Sequence, residues 1–122
     1  MGDGPGFDGA GAAELVARVR QILRPVAAAG ATIGYGEVRS SLSVFHLIPK
    51  SGPGDLASIL RAASEAEEAA GVGLLSAVVV RASGLPGPGW FRLAAQHGRD
   101  VSDWEAAWQA ERERLLTRLR SS

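Results

Sequence analysis

The sequence predicts a mainly helical α+β domain with a short two-stranded sheet and a closing C-terminal helix. Three observations predict it. Apolar residues recur at three- and four-residue intervals over several segments, as one buried face of a helix requires. The run Leu74 to Arg81, apolar up to Val80 but for Ser76, lacks that period and reads as a strand buried on both faces. Gly84, Pro86, Gly87, Pro88 and Gly89 follow it and force a sharp, preset change of direction.

The elements follow in order. Residues 1–11, with five glycines in GDGPGFDGAG, read as a flexible tail, and residues 12–120 as one domain. The tail has no cationic start and no apolar centre, so neither a signal nor a transit peptide is expected in it. From Ala12 to Ala28 the residues Leu15, Val19, Ile22, Leu23 and Val26 form an apolar stripe, with Pro25 and Gly30 marking a kink or an end. ATIGY at 31–35 is a brief β-prone run, and Gly36–Leu42 a two-turn helix. SVFHLIPKSGPG is then a connection anchored by Val44, Phe45, Leu47 and Ile48. Asp55 is the expected N-cap of a helix to Ala70, which Gly71 stops. Trp90–His97 forms a short helix ended by Gly98. Ser102 and Glu105 match a capping box opening a last helix to about Arg120, with Trp104, Trp108, Leu115 and Leu119 as its stripe.

This order, helix, short strand, helix, turn, helix, strand, turn, is that of a winged-helix domain, with Gly36–Leu42 and Asp55–Ala70 as the helix pair and Gly84–Gly89 as the wing tip. WFRLAAQHG after the corner departs from that pattern, because it reads as helix rather than as a returning strand. The segments IGYGEV (33–38), GLLSAVVVR (73–81) and GLPGPGWFRLA (84–94) together resemble small uncharacterised bacterial proteins that carry YGE, LLSxVVV and GxPGxGFF elements in this order. The resemblance spans about residues 12–120 and implies a winged-helix-like fold. It brings no established activity, so it implies no catalytic residue. YGEV also has a weaker likeness to the DNA-binding domain of alkylguanine-DNA alkyltransferases, where a TYGE-type sequence opens a helix. The PCHR-type motif of those enzymes is missing, and without cysteine their alkyl-accepting chemistry is excluded.

Composition narrows the functional classes. A chain of 122 residues is expected to bury roughly 65% of its unfolded surface, enough for one core without staples. Absence of cysteine excludes disulfides and thiolate metal sites and fits a reducing, cytoplasmic setting. No apolar run reaches the roughly 20 residues of a bilayer crossing, so no membrane partner is expected. Thirteen basic residues balance thirteen acidic ones, so partners must be recognised locally rather than by a long-range field. His46 and His97 lie far apart, outside any HxxxH or HExxH pattern, and GxSxG is absent. Neither a metal, a cofactor nor an enzymatic activity is therefore expected. Pro86 and Pro88 also remove donors that a phosphate-cradling glycine loop would need.

Two readings remain. The first is a non-enzymatic interaction module that holds a protein partner or a second copy of itself, with Trp90, Phe91, Trp104 and Trp108 as apolar anchors and Arg81 and Arg92 at the rim. The alternative is a DNA-binding regulator with Arg39, Arg61, Arg81 and Arg92 on phosphates. Asp55, Glu65, Glu67 and Glu68, read as sharing the exposed face of Asp55–Ala70 with Arg61, speak against it. Residues 69–99 speak for it, since they hold Arg81, Arg92 and Arg99 and no acid.

Overall fold

A computed structural model describes residues 9–44 and 56–121. The order is α1 (Gly9–Ala28), β1 (Ile33–Gly34), α2 (Tyr35–Val44), α3 (Leu56–Ala69), a 3-10 turn (Leu75–Val78), β2 (Val79–Val80), α4 (Pro88–Gln96) and α5 (Trp104–Ser121). The domain is thus mainly helical, with a small sheet of two parallel strands in the register Ile33 to Val79 and Gly34 to Val80. The anchors Phe45, Leu47 and Ile48 and the expected cap Asp55 lie outside the described residues.

α1 supplies Leu15, Val19 and Leu23 to the core, each essentially without exposure, as its stripe predicts. Pro25 does not end it. The helix runs three residues further and closes at Gly30, whose φ of +69° lets the Ala31 N–H donate back to the Val26 carbonyl. Gly71 and Gly98 close α3 and α4 by the same pair of backward hydrogen bonds. α5 begins differently from the expected capping box. Asp103 accepts the Ala106 N–H, while the Ser102 hydroxyl and N–H both donate to Asp100 Oδ1. Aspartate is the better acceptor for an open helix end, and it displaces the serine from that task.

The expected strand from Leu74 to Arg81 is corrected: only Val79 and Val80 pair, and the preceding four residues coil into the 3-10 turn. Side chains occupy the backbone groups that a neighbouring strand would have bonded. The Leu74 N–H donates to Glu111 (2.8 Å), the Ser76 N–H to Ser64 Oγ (2.8 Å), and the Ala77 carbonyl accepts Trp108 Nε1–H (2.7 Å). Burial on all sides made the run apolar, and apolarity alone does not separate a strand from a buried turn.

Beyond β2 the chain turns tightly. The Gly84 N–H donates to the Arg81 carbonyl, the Arg81 N–H donates to the Leu85 carbonyl, and Gly84 sits at φ +88°. This is the closed loop of a hairpin, and it stops after one returning residue because Pro86 has no N–H to extend the ladder. Gly87 and Pro88 then open α4, with proline at the first turn, where its missing donor costs nothing.

Buried charge ties the helices together. Glu67, fully buried, accepts from Arg20 (2.9 Å) and Arg24 (2.7 Å) of α1. Arg99 bridges Glu68 of α3 (2.7 Å) and buried Glu111 of α5 (2.8 Å). These bonds revise the expected charge of α3, since Glu67 and Glu68 belong to internal pairs rather than to an exposed acidic face. The Arg99 hydrogen bond holds the Glu68 carboxyl below its ordinary value of 4.5. The unfolded chain therefore takes up that proton first, and the stability contributed is present above 4.5 and lost as pH falls through the lower folded value. Urea midpoints are expected to stay level in this respect between about pH 5 and 7 and to fall below that window, with Glu68→Gln flattening the acid limb.

Candidate functional site

β2, the turn after it, α3 and α4 converge on one open cavity of about 920 Å³. The N-terminal half of α3 contributes Ser58 and Arg61, the strand end Arg81, and α4 Trp90, Arg92 and Gln96. Their placement follows from the local sequence. Gly84 and Pro86 terminate the hairpin, so α4 starts beside β2, and the helical spacing of Arg92 and Gln96 puts both on one side of it. No aspartate or glutamate is among the described residues that line this cavity.

The three guanidinium groups differ in their attachments. Arg61 donates to Gln96 Oε1 at 2.6 Å and lies 3.4 Å from Glu65, an exposed pair one helical turn apart that contributes little. Arg81 and Arg92 carry no hydrogen bond or ion pair among the described residues. Every other arginine has an acceptor, an ion-pair partner or a ring contact: Arg118 and Arg120, for instance, donate to the Gly71 and Ala28 carbonyls at the ends of α3 and α1, and Arg112 lies over Trp108 and donates to the Gly30 carbonyl. Arg81 and Arg92, without a partner among the described residues, both line the cavity. Trp90 lines it too, and its buried Nε1–H also lacks an acceptor.

Of the residues singled out for phosphate contact, the fold brings Arg61, Arg81 and Arg92 together. Arg39 is not with them. It is buried on α2, its guanidinium carbon 5.8 Å from the centre of the Tyr35 ring. The expected apolar anchors are mostly core residues: Trp90, Phe91 and Trp108 are 6%, 3% and 7% exposed. Their hydrophobic area is spent inside, with Trp90 edge-on to Phe91 and Trp108 bonded to the Ala77 carbonyl. Trp104 alone stands out at 50% exposure, stacked on Phe91 at 4.2 Å between ring centres. Ser58 lines the cavity beside Arg61, as the exposed face expected of Asp55–Ala70 has it, whereas Gln96 was not foreseen and Gly87 was read as part of a rigid turn. Glycine between two prolines was the one available sign, and it had been absorbed by the turn.

His97 lies 3.4 Å from Glu65, and among the described residues neither Glu37 nor a serine hydroxyl pairs with it; Glu37 instead accepts the Gly34 N–H. His46 lies outside the described residues. Among the described residues no cluster of three His, Cys, Asp or Glu is placed to hold a metal, and no helix is long and apolar enough to cross a membrane. In comparison with known proteins the chain matches no family model, no curated protein and no solved structure.

Proposed function

We propose that the protein binds the phosphate backbone of nucleic acid through the cavity face of α3, the β2 turn and α4. One observation carries the reading: the two arginines without a hydrogen bond or ion pair among the described residues both line this cavity, to which no described aspartate or glutamate contributes. A guanidinium that pairs with no acid among the described residues is available to phosphate, and its planar fork suits two phosphate oxygens at once. Arg61 adds a third cation, and Ser58 and Gln96 add neutral donors. In this reading the domain is winged-helix-like in use, with α2 and α3 as the helix pair and the tight turn after β2 as a shortened wing followed directly by α4. The balanced net charge restricts contact to this face and predicts modest affinity.

The test is fluorescence anisotropy of a labelled mixed-sequence duplex of about 20 base pairs across about 50 to 200 mM salt. Three phosphate contacts predict a log–log salt slope of about −2.7. Unchanged anisotropy at the lowest salt with tens of micromolar protein overturns the proposal. A second reading, contact with a protein partner or a copy of this chain, is favoured by Trp104 alone. It ranks below the first, because single exposed apolar residues are ordinary on protein surfaces.

A further inference from the structure

The structure assigns to Gly87 the role of a positioning residue: it is the seat on which the Arg81 guanidinium lies over the cavity, and the phosphate contact of Arg81 depends on that seat. A Cβ at position 87 would lie 2.8 Å from Arg81 Nε, 3.0 Å from Cζ and 3.1 Å from Nη2. Those near-equal distances describe the flat face of the guanidinium, since an edge-on approach would leave Cζ well beyond both nitrogens. With its face against Gly87, the group keeps its in-plane N–H donors directed away from the seat, where they are free for phosphate oxygens.

The backbone at Gly87 explains why only its missing side chain matters. Its φ of −74° and ψ of 169° are open to any residue, so this glycine is not needed for an unusual conformation. Its neighbours are fixed, because Pro86 is buried and Pro88 occupies the first turn of α4. Nor is the backbone of Arg81 free, being bonded on both sides to Gly84 and Leu85. The three heavy atoms nearest to a β-carbon at 87 all belong to the end of one flexible side chain, so it is the guanidinium that must leave its place while the fold stays intact.

Gly87→Ser is the informative variant. Gly87 is the N-cap of α4, a position where serine is preferred, so the helix is retained or strengthened while the seat is filled. This inference rests on the reading of the cavity as a phosphate-binding face, and the experiment separates the two. The first measurement is side-chain 15N relaxation of Arg81 Nε in the free protein. An order parameter clearly above the roughly 0.6 of flexible groups is expected, falling below it in Gly87→Ser while Arg92 Nε is unchanged. The second is duplex binding by wild type, Gly87→Ser, Arg81→Ala and the double variant. Each single substitution is expected to weaken binding about tenfold and to lower the salt slope by about 0.9, and the double variant to be no worse than either. Additive losses, or wild-type affinity in Gly87→Ser, overturn the role of the seat, as does an Arg81 Nε as mobile as Arg92 Nε in the wild type. An ordered, Gly87-dependent Arg81 in a protein that binds no duplex upholds the seat and overturns the nucleic-acid reading instead.

Discussion

Replacing Arg81 and Arg92 together by alanine is expected to reduce duplex affinity roughly hundredfold at low salt while leaving the melting temperature where it was. Hydrogen bonds to charged groups contribute about 1.5–3 kcal/mol each, and removing two such phosphate contacts is worth about 3 kcal/mol at the lower limit. The salt slope should fall from about −2.7 to about −0.9, the value left by Arg61. Stability is insulated from the change, since neither side chain has a hydrogen bond or ion pair within the described residues, and exposed substitutions of that kind stay within about 0.5 kcal/mol. The paired lysine variant retains charge without the planar fork. It should keep the slope and recover only part of the affinity, which separates point charge from two-pronged contact. Wild-type binding by the double alanine variant, measured by the same anisotropy titration, would remove the cavity from the argument.

Glu111→Ala is expected to have the largest effect on stability. Glu111 is 1% exposed, receives Arg99 and Arg114, and accepts the Leu74 N–H at 2.8 Å. Its removal takes one of two carboxylate partners from the largely buried Arg99, whose Nε–H loses its acceptor while Glu68 stays paired, and strands a buried backbone donor at the same time. Losing one partner of a buried pair costs about 3–5 kcal/mol, a large share of the roughly 5–15 kcal/mol available to a domain. At about 4 °C per kcal/mol the midpoint should drop by about 12–20 °C in a thermal melt followed by circular dichroism. Glu111→Gln retains an acceptor for Leu74 and should lose less. A fall of under about 1 kcal/mol for the alanine variant would show that water reaches Arg99 and Leu74 freely.

The same residues show how far the sequence could be read. Periodicity located α1, α3, α4 and α5, because each buries one stripe, and Gly30, Gly71 and Gly98 marked their ends. The helix after the corner was legible from Trp90, Phe91 and Ala94, but it starts two residues earlier than Trp90, at Pro88, which the sequence reading gave to the turn. Leu74–Val78 misled because its backbone partners are side chains from α3 and α5, distant in sequence and invisible to any local pattern. Glu67 misled for the same reason: a carboxylate facing two arginines of another helix looks in sequence like any solvated acid. At the site, Arg61, Arg81 and Arg92 were named from the charge pattern alone. Their difference from Arg39 is a matter of which helix face is covered, and only the packing decides that. Gly87 was hidden behind a sufficient local explanation, the rigid corner.

The arginines along α5 carry a consequence for biosynthesis. Arg112 and Arg120 donate to the Gly30 and Ala28 carbonyls, across 82 and 92 residues, and Arg118 reaches Gly71. Because translation proceeds from the amino end, a growing chain holds α1 and α3 with those terminal carbonyls unanswered, and the 3-10 turn without Trp108 and Glu111, until the ribosome has passed Ser121. Nascent chains halted before Trp104 should therefore be protease-sensitive and dependent on chaperones, and maturation should come as a single late event when α5 docks.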